Sequence, residues 1–297
     1  MKVAIIGLGN VSKYYIQVFS SSPNYTLVAG VDLEETRQYL NLKGQGVKLY
    51  KDYQDLKKED IDLLCILTPY ERHSEIIKYF IDSDIKILVD KLVSLNLDEV
   101  KEILDYTIYN KRKLNIVYHY RYGSEVLYLK ERFDLSNFQD IYINIQDPYF
   151  INNEITKDGK SLGGAWMDSA PNALSFLSLF LDVSKLKLEK IEEREKNGVN
   201  IYNLRVYSYF GKRVIIEINW NEINNKETII KTNSDLIKVQ HSNQEIIVNG
   251  NLVFKNTSER LLTHYNNFFK IFNNEQQVLK EVLEIHKKLL EREEICT

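Results

Sequence analysis

Residues 2–19 read Lys-Val-Ala-Ile-Ile-Gly-Leu-Gly-Asn-Val-Ser-Lys-Tyr-Tyr-Ile-Gln-Val-Phe. Residues 3–6 are a short β-rich apolar run bounded by glycine, too short for a helix and suited to a strand buried on both faces. Past Gly7-Leu8-Gly9, the residues Val11, Tyr14, Tyr15 and Val18 recur at helical spacing. Strand, glycine turn and helix in that order are what a dinucleotide-binding loop requires. Gly7 permits a tight turn, and Gly9 has no Cβ to block a pyrophosphate. The N–H groups of Asn10, Val11 and the helix start face an anion. Ser12 stands where a third glycine usually packs helix on strand, and serine is small enough to serve there.

Working outward, the next strand is expected at 26–31 and ends in Asp32, twenty residues beyond Ser12. A carboxylate at that distance is placed to accept hydrogen bonds from the adenosine ribose hydroxyls. The competing account makes Asp32 the N-cap of a helix, with Glu35 three residues on. Asp32 favours NAD over NADP because it repels a 2′-phosphate, although Arg37 lies one helical turn further and NADP stays possible.

Length and composition bound the rest. A chain of 297 residues exceeds the usual single-domain size, so two domains are expected. The 44% hydrophobic and 27% charged content is ordinary for a globular protein with a sizeable core. A net charge of −3 argues against nucleic acid as a partner, and Lys111-Arg112-Lys113 reads as cations ending a helix. The two cysteines, Cys65 and Cys296, have no metal-ligand spacing and suit a reducing cytoplasm. No signal peptide or bilayer-spanning stretch is recognised, so a cytoplasmic location is expected.

Up to residue 118, strands expected at 3–6, 26–31, 47–50, 61–67, 86–89 and 114–118 alternate with helices. The main helices fall at 11–18, 33–43, 71–81 and 96–110, which describes an α/β doubly wound parallel sheet of the Rossmann type. From 119 to 297 strands dominate, at 140–146, 186–191, 201–209, 214–220 and in shorter runs to 254. Helices are expected at 124–133, 163–180, 259–272 and 275–292. This second part is an α+β domain with a largely antiparallel sheet.

Three clusters can carry chemistry. Thr68-Pro69 with His73 follows the fourth strand, where open α/β sheets bind ligands; taken locally, His73 reads first as a packing histidine at a helix start and only second as a catalytic one. Lys91, after Val89-Asp90, can hold its ammonium over a nicotinamide and serve the oxygen of a carbon exchanging hydride, or be a solvated surface lysine. In Gly163-Gly164-Ala165-Trp166-Met167-Asp168-Ser169-Ala170-Pro171-Asn172, Asp168 and Asn172 are four apart and align on one helix face. They are explained as well by helix punctuation, with Asp168 as N-cap and Pro171 in a first turn.

Together these motifs resemble those of the glucose–fructose oxidoreductase, inositol dehydrogenase and MocA (Gfo/Idh/MocA) family over nearly the whole length. The features that carry the resemblance are Val-Ala-Ile-Ile-Gly-Leu-Gly-Asn-Val-Ser at the amino terminus, Asp32, Thr68-Pro69 with His73, and Lys91 eighteen residues after that histidine. His119-Tyr120-Arg121-Tyr122, Gly163-Gly164 with Asp168, and His264-Tyr265 with Phe268 continue it. The family's fifth strand ends in Glu-Lys-Pro, and its lysine works with an aspartate and a histidine after the paired glycines. By motif position these are Lys91, Asp168 and Asn172. The chain departs from the pattern in Asp90-Lys91-Leu92, which lacks the proline, and in Asn172, which cannot exchange a proton.

The resemblance implies an NAD(P)-dependent oxidoreductase acting on a sugar, cyclitol or sugar derivative. It assigns Lys91, Asp168 and Asn172 to catalysis, and Gly7, Gly9, Asn10, Val11, Asp32, Thr68, Pro69, His73 and Lys91 to the cofactor. Arg121, Tyr149, Asn153, Lys160 and Trp166 are expected to contact substrate, and a homodimer or homotetramer is expected. Two alternatives stay open: a redox-neutral enzyme that oxidises its substrate transiently, and a non-catalytic dinucleotide- or sugar-binding regulator.

Overall fold

The structure is a computed structural model and describes residues 1–272 and 279–292. The expected helix start at residue 275, and Cys296, lie outside the described residues. The chain forms two compact units: residues 1–118 with described residues of 268–286, and residues 119–267 with the chain from Lys287. The described residues of 268–286, expected in the second domain, fall in the first unit.

In the first unit, β1 (Lys2–Ile6), β2 (Thr26–Val31), β3 (Lys48–Tyr50), β4 (Leu63–Ile66), β5 (Lys86–Asp90) and β6 (Leu114–Val117) form one sheet. Its order is β3-β2-β1-β4-β5-β6, with every pair parallel. The connecting helices are α1 (Ser12–Ser20), α2 (Arg37–Leu42), α3 (His73–Phe80) and α4 (Leu97–Tyr109). Strand order reverses between β1 and β4, and in such sheets a crevice opens there outside the strand carboxyl ends. The apolar runs form strands because both faces are covered: Val3, Ala4, Ile5, Leu63, Leu64, Cys65 and Ile66 are all fully buried. Tyr15 and Phe19 of α1 pack edge-on against Phe269, their ring centroids 5.7 and 5.0 Å from it.

In the second unit, α5 (Ser124–Arg132) precedes β7 (Asp140–Asp147), and β8 (Phe150–Ile151) with β9 (Glu154–Ile155) makes a small hairpin. Then come α6 (Ala165–Leu177) and strands β10 (Lys187–Lys196), β11 (Val199–Tyr209), β12 (Lys212–Trp220), β13 (Asn225–Lys231), β14 (Leu236–Gln240), β15 (Glu245–Val248) and β16 (Asn251–Lys255). The eight-stranded sheet runs β10-β11-β12-β7-β13-β14-β15-β16 and is antiparallel except where β7 meets β12. Ile141, Ile143 and Ile145 point to the core, as do Val214, Ile216 and Ile218, which is the period of two expected from residues 213–220. Two helices follow, α7 (Arg260–Ile271) and α8 (Leu279–Leu290).

Three expectations shift for identifiable reasons. The helix expected at 33–43 is confined to α2, because Asp32 does not cap it: its Oδ1 accepts from the Glu34 N–H at 2.9 Å and its Oδ2 from the Leu8 N–H at 2.7 Å. Thr36 caps α2 instead, accepting from the Tyr39 N–H. The helix expected at 163–180 begins later, since Gly163 and Gly164 have φ of +73° and +99°, outside the helical region. Asp168 therefore sits in the first turn of α6 and is not its N-cap. The strand expected at 186–191 extends to Lys196, where it turns back into β11.

Candidate active site

The turn between β1 and α1 has the shape the sequence calls for. Gly7 has φ +93° and donates its N–H to the Val31 carbonyl at 2.9 Å. A Cβ on Gly7 would come within 2.7 Å of the Leu67 carbonyl carbon and the Thr68 nitrogen, so only glycine fits. Gly9 differs: a Cβ there meets nothing within 4 Å, and the residue faces open space. Ser12 is fully buried and donates to the Gly9 carbonyl at 2.7 Å, which closes the turn against the helix. No side chain caps the start of α1, so its leading N–H groups stay available to an anion. Asn10 is exposed and Val11 half-buried at that start.

These residues border a cavity of about 610 Å³ lined by Gly7, Gly9, Asp32, Thr68 and Pro69, with Glu34, Lys51 and Arg72 among its polar groups. That volume lies in the range of small-molecule and cofactor sites. Asp32 has each oxygen on one backbone N–H, leaving lone pairs for ribose hydroxyls. Thr68 Oγ1 is buried with no hydrogen-bond partner, an orphan on the same wall that a bound group can satisfy. Glycine cradle, uncapped helix start, carboxylate and orphan hydroxyl all fit a dinucleotide.

At the carboxyl ends of β4 and β5 a second arrangement holds Lys91. His73 is buried, with Nδ1 2.6 Å from the Leu92 carbonyl and Nε2 2.7 Å from the Thr68 carbonyl. It ties the two loops together, which is the packing role. Burial pulls its pKa below the ordinary imidazole range, while the Leu92 carbonyl, the Asp90 charge and the Thr68 carbonyl work the other way. A neutral ring can donate to only one of the two oxygens, so both bonds are complete only in the imidazolium form. Leu92 is buried at φ +74°, a conformation a leucine holds only where its surroundings enforce it. Lys91 itself is half-buried, not a fully solvated side chain.

In the second unit, α6 presents Asp168 and Asn172 one turn apart. Asn172 is buried; its Nδ2 lies 3.4 Å from His119 Nε2, and its Oδ1 has no partner. His119 Nδ1 is 3.1 Å from Nδ1 of His264, whose ring is fully buried. Burial, then the charges of Arg260 and His241, hold the His264 pKa well below the ordinary value. Beside Asp168, Ser169 Oγ donates to Asp147 Oδ2 at 2.9 Å, and Lys226 Nζ pairs with Asp147 Oδ1 at 2.6 Å. Burial lowers the Lys226 pKa against the opposing pull of Asp147.

The remaining expected substrate residues divide. Tyr149 is half-buried beside Trp220, and burial followed by the Asp168 and Asp147 charges pushes its phenol pKa up, which places it in the field of the α6 carboxylate. Arg121 is half-buried in the turn that precedes α5. Asn153 and Lys160 are exposed, with Asn153 Oδ1 accepting from Lys196 at 3.3 Å. Trp166 is buried, donates its indole N–H to the Leu289 carbonyl at 2.8 Å and lies 3.9 Å beneath the Arg205 guanidinium. Its polar edge is committed to the fold.

Residues 1–118 match the family model described as GFO_IDH_MocA, an oxidoreductase family with an NAD-binding Rossmann fold. A dehydrogenase (MviM) from Clostridium difficile superposes with a TM-score of 0.81 at 16% identity, covering 97% of both chains. The amino-terminal part of the chain, residues 1–118, is thus similar to the NAD-binding domain of the Gfo/Idh/MocA family. Two other similar structures carry ligands. Scyllo-inositol dehydrogenase from Lactobacillus casei, with NAD(H) and scyllo-inositol, has a TM-score of 0.75 at 16% identity over 98% of this chain and 95% of that one. KijD10, a 3-ketoreductase from Actinomadura kijaniata with TDP-benzene and NADP, has a TM-score of 0.80 at 12% identity over 96% and 94%. At these identities the likeness is one of fold. Among curated proteins, the uncharacterized oxidoreductase YrbE of Bacillus subtilis (strain 168) is 31% identical over 102 residues, 34% of this chain and 30% of that protein. That match spans about a third of either.

The roles of several groups escape a reading of the sequence. His119 and His264 stand in the motifs quoted above but had no role assigned, and His286 and the Asp147–Lys226 pair were not expected. A signal exists for the pair: Asp147 continues the inward positions Ile141, Ile143 and Ile145, and Lys226 shares the buried face of β13 with Thr228 and Ile230. A charge on the inward beat of a strand calls for a buried partner.

Proposed function

We propose that this chain is an NAD-dependent dehydrogenase or reductase acting at a carbinol carbon of a sugar, cyclitol or sugar derivative. A bound nicotinamide supplies the hydride acceptor or donor. Gly7, Gly9 and the N–H groups of Asn10, Val11 and Ser12 bind the pyrophosphate, Asp32 takes the ribose hydroxyls, and Thr68 and Pro69 form the wall beside them, with His73 buried behind it. Lys91 holds the substrate oxygen with its ammonium and offsets the negative charge that develops there. Asp168 orients a substrate hydroxyl, and Asn172 positions the substrate. Arg121 and Tyr149 are the better candidates for substrate contacts; Asn153 and Lys160 lie outside them, and Trp166 shapes the start of α6.

The observation that carries this reading is the glycine turn itself, because Gly9 leaves open the space that a pyrophosphate would use while Asp32 keeps acceptor capacity in the same cavity. The acids Asp32 and Glu34 on its wall favour NAD over NADP. A polyol as the substrate class is supported by scyllo-inositol, bound in one of the structural neighbours. Pairing of chains through the outer face of the eight-stranded sheet goes with this reading, and sedimentation would test it. One observation favours a second reading, a non-catalytic dinucleotide-binding regulator: Asn172 carries no titratable proton.

Fluorescence titration with NADH, followed by a screen of polyols for absorbance of newly formed NADH, tests the proposal. Binding with turnover supports the dehydrogenase, and binding without turnover supports the regulator. Absence of binding by either NADH or NADPH overturns both.

A further inference from the structure

With the ribose hydroxyls on Asp32, the adenine joined to that ribose falls within the same cavity of the first unit. The cavity is bordered past Asp32 by three loops at the carboxyl ends of the strands. Leu33 follows β2, Tyr53 follows β3, and Arg72 with Glu75 follows β4. Leu33 is 80% exposed, a large apolar side chain left in water on the wall of a binding cavity. A flat apolar ring would cover it.

Arg72 is fixed in this wall by a chain of contacts. Its Nη2 donates to Glu75 Oε1 at 3.2 Å and its Nε lies 3.1 Å from Glu75 Oε2, so two nitrogens meet two oxygens side-on and set the plane of the guanidinium. The carboxylate is itself held, because Tyr53 donates its hydroxyl to Oε1 at 2.6 Å. The Tyr53 ring in turn packs edge-on against Tyr79 and Phe80, with centroids 5.3 and 6.2 Å away. The side chains of Arg72 and Glu75 are 52% and 53% exposed, where an ion pair contributes little to stability. What the arrangement achieves is a flat cation of set orientation in a cavity that already holds the ribose acceptor. A guanidinium face binds a base by stacking and cation–π attraction, and a face oriented beforehand loses less entropy when the base arrives.

We propose that the adenine ring stacks on the guanidinium of Arg72, with Leu33 as its apolar contact from the end of β2. The inference rests on the dinucleotide reading of this cavity and adds to it the residue that holds the base. Glu75 is a positioning residue. It sets the plane of Arg72, and by offsetting the charge it keeps the cation from drawing the pyrophosphate away from the glycine turn. A lysine could not take the place of Arg72, because an ammonium has no plane to stack on.

The test needs no turnover. ADP-ribose is the probe of geometry, since it carries the adenine without the nicotinamide. In 15N-labelled protein the Arg72 Nε–H resonance, assigned by its loss in Arg72→Lys, should move upfield when ADP-ribose is added, because a proton over the face of an aromatic ring is shielded. No movement, or the downfield movement that a new ion pair with phosphate produces, overturns the proposal. In fluorescence titrations with NADH, R72A should weaken binding by about tenfold and R72K should lose most of the same affinity. Binding by R72K as tight as that of wild type would mean that charge alone is used, and it overturns the stacking. Glu75→Ala should weaken NADH binding in the wild-type background and not in R72A. A loss of equal size in both backgrounds overturns the positioning role of Glu75. If wild type binds neither NADH, NADPH nor ADP-ribose, the dinucleotide reading fails and the inference with it. If wild type binds NADH and R72A binds it equally well, the stacking alone is overturned and the cofactor site stands.

Discussion

The Nε2 atom of His286 accepts the backbone N–H of Val93 at 3.1 Å, two residues past Lys91. Its other ring nitrogen lies 2.8 Å from the Val282 carbonyl, one turn back in α8, so the ring is neutral with its proton on Nδ1. On the opposite side His73 reaches the Leu92 carbonyl. Two histidines thus grip the segment that follows the lysine, one by a carbonyl and one by an amide. They hold Leu92 at its positive φ in a place where the related sequence pattern uses proline.

Removing this acceptor has a defined cost. His286→Phe fills much of the same volume but leaves the Val93 N–H buried and unpaired, and the expected loss is about 1–3 kcal/mol by urea unfolding. Amide exchange at Val93 should speed up while exchange in β1 follows global stability alone. Unaltered exchange at Val93 would show that the segment is held by other contacts.

The same ring makes stability depend on pH. Burial lowers its pKa to about 4, below the value of about 6.5 for an unfolded histidine. The folded state binds fewer protons between those values, so acid favours the unfolded chain. Stability from this site is intact above about pH 6.5, declines as pH falls and levels off near pH 4, a total of about 3 kcal/mol. H286F should flatten that part of the pH profile measured by chemical denaturation.

The buried pair Lys226–Asp147 predicts a different response. Their side chains are 7% and 10% exposed, so removing one partner strands the other in a medium that cannot solvate it. Lys226→Met should cost about 3–5 kcal/mol, and K226M with D147N should recover part of that loss. Additive losses in urea melts of the single and double variants would mean that the two groups are not coupled.

Cofactor choice turns on Asp32. Replacing it with alanine removes the acceptor for the Leu8 and Glu34 amides, so affinity for both nucleotides should fall. The informative quantity is the ratio of NADP to NAD affinity, because a general loss of order cancels in it. With the repelling carboxylate gone, the ratio should rise by about tenfold, or roughly 1.4 kcal/mol. A constant ratio in paired fluorescence titrations would take Asp32 out of the selection.

What was legible in the sequence follows the physics of each element. Strands covered on both faces, such as β1 and β4, announce themselves as unbroken apolar runs, and Gly7 and Asp32 mark the ends of β1 and β2. The extent of α2 was not legible, because whether Asp32 or Thr36 caps it depends on amides of Leu8 and Glu34 that only the folded turn brings to the carboxylate. Asp168 and Asn172 could be placed on one face from their spacing. Their neighbours could not: His119 and His264 are 145 residues apart, and no local pattern pairs them. His286 reads as one more residue of an amphipathic helix until Val93 is found against it.

The two glycines of the first turn separate folding from binding. Gly7 has positive φ and backbone within 2.7 Å of where a methyl group would lie, and backbone atoms cannot swing aside as a side chain can. Gly7→Ala should therefore lower the melting temperature sharply, by the strain of a left-handed alanine of about 1–2 kcal/mol together with the displacement of the Leu67–Thr68 peptide. Gly9→Ala adds its methyl group to open space, where no protein atom lies within 4 Å. Its melting temperature should stay within about 2 °C of wild type, since surface changes of this kind fall within about 0.5 kcal/mol. Its NADH affinity should drop by about tenfold or more, because the methyl group occupies the approach of the pyrophosphate to the start of α1. A G9A protein that melts normally and still binds NADH as wild type does would show that the diphosphate is not held at this turn.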